Sequence, residues 1–297
     1  MSVVPASSDL GLYTSSAQAA AARVIDAYST SFGLATSLLP AETRTGIRSI
    51  YALVRVADEI VDGTAEEAGL DAEQQREVLD ALESETLEAL ERGFSANLVV
   101  HAFAVAARAS SLEASLVTAF FASMRRDLEP VQSLSREEYS TYIYGSAEVV
   151  GLMCLRVFLM HETLTPEERA DAEAGASSLG AAFQKVNFLR DLGEDAHQRG
   201  RAYFPGTVPG QLSESEKVAF LREIEADLAA ARKALPLLPP GPRRATALAA
   251  SLFGELAARL RTTPAEELQS RRVSVPPRTK LRLLMAVLAA EAAGGLR

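Results

Sequence analysis

The chain of 297 residues holds one cysteine, Cys154, and three histidines, His101, His161 and His197. A single thiol excludes an internal disulfide and any zinc site built from cysteines. The histidines are scattered without metal-ligand spacing, so each reads as a surface side chain or a satisfied interior one. Basic charge is also scarce. Lys and Arg number 30 against 39 Asp and Glu, a formal net charge of −9. That balance argues against a nucleic-acid partner, because phosphate contacts need a positive surface. Long apolar runs are missing too: Leu283–Ala290, bounded by Lys280, Arg282 and Glu291, falls well short of the about 20 residues a spanning helix needs. Residues 1–20 contain Asp9 and no Lys or Arg, so no basic segment leads into an apolar core. No G-x-S-x-G, P-loop or G-x-G-x-x-G occurs, which leaves serine-hydrolase, P-loop and Rossmann readings without support. The expectation is a cytoplasmic protein without a spanning segment, free to touch a membrane surface.

What remains is helical vocabulary. Hydrophobic residues make up 48% and charged residues 23%, an ordinary globular composition that excludes disordered and collagen-like classes. Ala, Leu, Glu and Arg dominate, and strand-like alternation of Val, Ile and Thr is hard to find. Five segments place Glu three residues after Ser or Thr: Thr64…Glu67, Ser135…Glu138, Thr165…Glu168, Ser213…Glu216 and Thr263…Glu266. Each predicts a helix start, with the hydroxyl on an orphan N–H and the carboxylate reaching back. Breaks are expected around Gly63–Leu70, Leu128–Ser135, Tyr203–Ser213 and Leu235–Pro242, with a new helix near Arg243. The Glu73–Arg92 stretch reads as an amphipathic surface helix, Arg125-Arg126-Asp127 as a solvated turn or a pocket-rim contact, and Cys154 as a small core residue. Together these give an all-α chain of one domain, with residues 1–22 a partly flexible N-terminal extension to a body of 23–297.

Two segments carry the chemistry. In Arg48-Ser-Ile-Tyr51-Ala-Leu-Val-Arg55-Val-Ala-Asp58-Glu-Ile-Val-Asp62, residues Arg48, Tyr51, Arg55, Asp58 and Asp62 share a stripe roughly 80° wide. The rest of the circumference is apolar, as in a buried helix. Asp58 and Asp62 are neighbours at i and i+4 and repel unless a cation lies between them. Mg²⁺ suits such a pair, since it takes carboxylate oxygens and completes its shell with water and phosphates. The ordinary alternative is a solvated acidic face, which the apolar surroundings disfavour.

The second segment, Gln184-Lys-Val-Asn187-Phe-Leu-Arg190-Asp191-Leu-Gly-Glu194-Asp195, aligns Gln184, Asn187, Asp191, Glu194 and Asp195 on one face. Lys185 and Arg190 are at hand for anionic oxygens. The mixture of carboxylates and arginines suits a cavity in which a metal-bound diphosphate departs.

These strings, with Gly200-Arg-Ala-Tyr-Phe-Pro205 after them, resemble the signature motifs of the squalene/phytoene synthase family. The resemblance extends from Tyr28-Ser-Thr-Ser31-Phe32 to Arg271-Arg-Val-Ser-Val275 and is strongest to the bacterial phytoene synthases of carotenoid pathways. It implies an isoprenoid-synthase helical bundle around a large central cavity, joining two prenyl diphosphates head to head. By that resemblance Asp58, Asp62, Asn187 and Asp191 hold Mg²⁺, with Mn²⁺ as a substitute and Asp195 as a further ligand. Tyr28, Ser29, Thr30, Ser31, Tyr51, Arg55, Gln184, Arg190 and Arg201 contact the diphosphate or fix the ligands, and Tyr142 assists proton removal. NADPH is not expected, since only squalene-forming members quench the cation with hydride. The implied partners are a prenyl diphosphate, the inner face of a membrane by peripheral contact, and neighbouring carotenoid-pathway enzymes. Three positions depart from the family pattern: Gly145 and Glu148 stand where Tyr and Gly are frequent, and Phe253 where many members carry Tyr.

Overall fold

The computed structural model describes residues 8–129, 134–192, 204–206 and 212–295. Among them every regular element is helical. The chain divides into two compact units, one of Met1–Leu128 with Met153–Glu162, the other of Glu129–Leu152 with Thr163–Arg297.

The first unit contains α1 (Asp9–Tyr28), α2 (Thr30–Thr36), α3 (Ala41–Val61), α4 (Thr64–Glu67), α5 (Ala72–Arg92), α6 (Leu98–Ala109) and α7 (Ala114–Arg126). Ser8 caps α1 by accepting the Gly11 N–H at 3.0 Å, and the helix runs unbroken through residues 22 and 23. Ala17 and Ala21 of α1, Ala52 of α3 and Ala102 of α6 form a fully buried seam, rimmed by Val24 and Val99. Side chains this small let three helix backbones approach closely. On α3, Ile50, Leu53, Ala57, Ile60 and Val61 are buried while Arg48, Tyr51, Arg55, Asp58 and Asp62 are half-buried, as the stripe predicts. Each buried Ile or Leu there contributes about 1.5–3 kcal/mol.

The second unit contains α8 (Arg136–Ile143), a π-helical turn at Tyr144–Glu148, the start of α9 (Val149–Phe158), α10 (Pro166–Arg190), α11 (Glu214–Ala234), a 3₁₀ turn at Leu235–Leu237, α12 (Pro240–Thr262), α13 (Ala265–Leu268) and α14 (Pro277–Ala292). The π-turn lies against α10 at a glycine. A Cβ on Gly180 would sit 2.4 Å from the Ala147 carbonyl oxygen, so no other residue fits without displacing backbone. Phe204 anchors the core, stacked on Phe220 at 3.8 Å and 5.8 Å from Phe188.

Three of the five expected capping boxes form, at Ser135, Thr165 and Ser213. A fourth, at Asp71 with Gln74, opens α5. Thr64 and Thr263 behave otherwise. Gly63 takes the N-cap of α4 at φ 107°, a left-handed conformation glycine adopts freely, and the Thr64 hydroxyl donates to Glu59. Thr263 is the C-cap of α12, and its hydroxyl bonds the Arg259 carbonyl at 2.9 Å. The end of α12 is held from α11 instead. Lys217, with no exposed surface, donates to the Thr263 carbonyl at 2.5 Å and pairs with Glu214 at 2.6 Å. The helix expected near Arg243 starts earlier, at Pro240, because prolines fit a first turn that has no N–H to lose.

Candidate active site

The first acidic pair closes a helix. Asp62 is the C-cap of α3, at φ −105° and ψ 23°, and its N–H donates to the Asp58 carbonyl at 2.8 Å. A helix C-terminus carries partial negative charge and normally attracts cations, yet the last turn of α3 holds no basic residue. Desolvation, then the neighbouring Asp62, lifts the Asp58 carboxyl well above the usual carboxylate range, with Asp127 adding to the rise and Arg55 opposing it. Arg55 thus offsets only part of the burial and like charge around Asp58.

The wall beside it comes from the end of α1. Tyr28 lies under the Arg55 guanidinium, 4.3 Å from carbon to ring centroid. Ser29 caps α2 through the Phe32 N–H at 3.1 Å and is hydrogen-bonded to the Tyr51 hydroxyl. Burial lifts the Tyr51 pKa above its ordinary value, against the pull of Arg55. Thr30 is exposed and Ser31 half-buried in the first turn of α2. Thus Tyr28 lies against Arg55 and Ser29 against Tyr51.

The second pair repeats the device. Asp191 is the C-cap of α10, at φ −100° and ψ 9°, and its N–H donates to the Asn187 carbonyl at 2.8 Å. The Asn187 side-chain oxygen is buried and has no hydrogen-bond partner among the described residues. Arg190 Nε donates to Asp191 Oδ1 at 2.8 Å, and Arg272 Nε lies 3.0 Å from the same oxygen. Gln184 is half-buried one turn earlier. Lys185 turns away to α11, where its Nζ donates to Asp227 Oδ2 at 2.7 Å. Asp195 and Arg201 lie outside the described residues.

Sequence reasoning passed over four side chains. Glu59 gathers Arg55, Thr64 and Tyr28. Asp127, read as part of a solvated turn or a pocket-rim contact, is 6% exposed and influences Asp58, while Arg125 beside it pairs with Asp80 at 2.6 Å. Arg272 and Asp227 reach α10 from distant positions in the chain. Their partners are set by folding, so only the i to i+4 spacing of Arg55 and Glu59 offered a signal.

Residues 25–279 match the squalene/phytoene synthase family. The chain belongs to this family. Phytoene synthase 1 of tomato, Solanum lycopersicum, is 31% identical over 73% of this chain and 50% of its own length. The 15-cis-phytoene synthase of a Paracoccus species is 28% identical over 86% of each chain. Among solved structures, a dehydrosqualene synthase crystallised with ligand superposes with a TM-score of 0.76 at 25% identity, covering 96% of this chain and 100% of that one. The chain spans about half the length of the plant relatives it matches. Its fold is the all-α isoprenoid-synthase type of these neighbours.

The family's motifs call for a divalent cation, and the donor sets can be tested for one. Among the described residues no three His, Cys, Asp or Glu side chains converge on a point. Each helix end instead offers two oxygen-bearing side chains, two carboxylates on α3 and, on α10, a carboxylate with the orphaned amide oxygen of Asn187. That suits an ion such as Mg²⁺, which binds few protein oxygens and keeps water and phosphate oxygens in its shell. The departures from the family pattern also find places. Phe253 stacks on Phe183 at 3.8 Å, replacing a hydroxyl by ring contact. Gly145 and Glu148 fall inside the π-turn, and burial, with Asp227, raises the Glu148 pKa. Tyr142, just before that turn, is 4% exposed with its ring 5.9 Å from Phe188.

Proposed function

We propose that the protein is an Mg²⁺-dependent prenyltransferase that joins two geranylgeranyl diphosphates head to head into phytoene, through prephytoene diphosphate. The observation that carries this reading is the repeated helix end. Each compact unit ends one helix in an i, i+4 oxygen pair, Asp58 with Asp62 and Asn187 with Asp191, beside an arginine. Mg²⁺, when held by these residues, neutralises charge on the departing diphosphate. Arg55 and Arg190 add charged donors for phosphate oxygens, and Tyr51, hydrogen-bonded to Ser29, lies beside Arg55. Buried apolar residues keep water from the allylic cation, which the double bond of the second substrate attacks. Tyr142 assists removal of the proton that is then lost. Asp195 and Arg201 extend the same set by family resemblance.

No helix among the described residues is long and apolar enough to cross a membrane. The C40 product is nonetheless insoluble in water, and we assign α14 to peripheral membrane contact. It exposes Leu281 (60%) and Met285 (58%), with Arg278 and Arg282 also exposed.

A second reading has specific support in the superposition on a dehydrosqualene synthase: a C15 farnesyl diphosphate substrate and a C30 product. Incubation with geranylgeranyl or farnesyl diphosphate, Mg²⁺ and mild detergent, with and without NADPH, separates them by hydrocarbon analysis. A C40 triene formed without NADPH supports phytoene synthesis. A C30 product moves the assignment to the second reading, and no diphosphate release from either substrate overturns both.

A further inference from the structure

We propose that Glu59 is a positioning residue that aims the Arg55 guanidinium at a phosphate oxygen; this rests on the diphosphate reading above. Glu59 is the neighbour of Asp58, yet its surroundings are the reverse. Arg55 Nη2 donates to one of its oxygens and the Thr64 hydroxyl to the other. The Tyr28 hydroxyl makes a third bond to the same carboxylate. One side chain thereby fastens the end of α1, the last turns of α3 and the start of α4. The consequence falls on Arg55. Its guanidinium is held along one edge by Glu59 and stacked on Tyr28 at 4.3 Å, while Nε is buried with no partner among the described residues. A planar fork fixed on two sides with a donor unspent is prepared for an anionic oxygen. An unpaired buried donor is costly, so the site favours a ligand that supplies the acceptor.

The sign of one measurement decides the matter. Removing a negative charge should by itself tighten the binding of an anion. If Glu59 acts by aiming Arg55, its removal should weaken it. The probe is inorganic diphosphate with Mg²⁺, titrated calorimetrically into the full chain. Glu59→Ala should raise Kd about tenfold, the scale of one charged hydrogen bond lost from the ligand. Glu59→Gln, which keeps the shape and an acceptor, should fall between that variant and the wild type, with an unchanged melting temperature. In an Arg55→Lys background, which has no Nε to aim, Glu59→Ala should add less than about a threefold loss. With prenyl diphosphate, KM should rise more than kcat falls. Unchanged or tighter binding in both Glu59 variants overturns the proposal, as does an undiminished loss in the Arg55→Lys background. A wild type that binds diphosphate but forms no hydrocarbon overturns the proposed function alone. One that binds no diphosphate overturns both.

Discussion

At the end of α12 the last carbonyls meet a buried ammonium, whereas at the end of α3 they meet carboxylates. Lys217 donates to the carbonyls of Arg261 and Thr263, satisfying orphan acceptors with the charge that a helix C-terminus favours. The α12 end is complete within the chain. The α3 end places Asp58 and Asp62 where that same field disfavours them, without a basic residue in the last turn. The α10 end lies between these extremes, since Asp191 receives Arg190 and Arg272 while the Asn187 oxygen stays unpaired. The difference separates a helix end satisfied within the chain from two that, in the proposed function, receive a cation. Acid at a C-terminus is a local cost, and it makes sense where an ion from outside offsets it.

Five substitutions would break or sharpen that contrast. The largest effect is expected for Asp58→Asn, which should lower turnover roughly 10³-fold, the scale of losing one charge-stabilising group. Diphosphate release from a prenyl diphosphate measures it. Next, Lys217→Met should cost about 3 kcal/mol of stability by taking the donor from the Arg261 and Thr263 carbonyls. Urea denaturation reads this, and the Mg²⁺ dependence of turnover should stay as it was. Helix starts give a smaller contrast. Thr165→Ala removes a formed capping box and should cost about 1 kcal/mol, while Thr263→Ala should cost less than half of that. The smallest effect concerns His101, which has no exposed surface and bonds Thr14 at 3.0 Å. Burial lowers its pKa, so the fold holds the neutral ring. Its contribution is present above the ordinary value of 6.5 and lost as pH falls through the depressed folded value. The gap in melting temperature between wild type and His101→Gln should narrow between pH 7.5 and 5 (roughly the window set by a histidine of lowered pKa).

Much of the fold was legible because its signals are local. The Ser135, Thr165 and Ser213 boxes need only four consecutive residues, and the α3 stripe needs only helical rotation. Thr263 failed because Lys217, far away in sequence, already serves the α12 end, and Thr64 failed because Glu59 takes its hydroxyl. Asp71 was missed because its box pairs with Gln74 rather than a glutamate. The π-turn was invisible, since Tyr144–Glu148 reads as ordinary helix until Gly180 brings α10 against it. At the site, Asp58, Asp62, Asn187 and Asp191 were found by spacing. That both pairs close their helices was not, although Gly63, left-handed at φ 107° just after Asp62, is a usual helix-ending signal.

The central claim is that the acid-ended helices wait for a cation, and thermal unfolding of the wild type and Asp58→Asn tests it most directly. Each would be melted alone and with Mg²⁺ plus inorganic diphosphate. Alone, Asp58→Asn should equal or exceed the wild type by up to about 1 kcal/mol, since it relieves a charge at a helix C-terminus. With the ions present, the wild type should rise in melting temperature and the variant should not. A variant that is less stable alone, yet stabilised by the ions as fully as the wild type, would contradict the account.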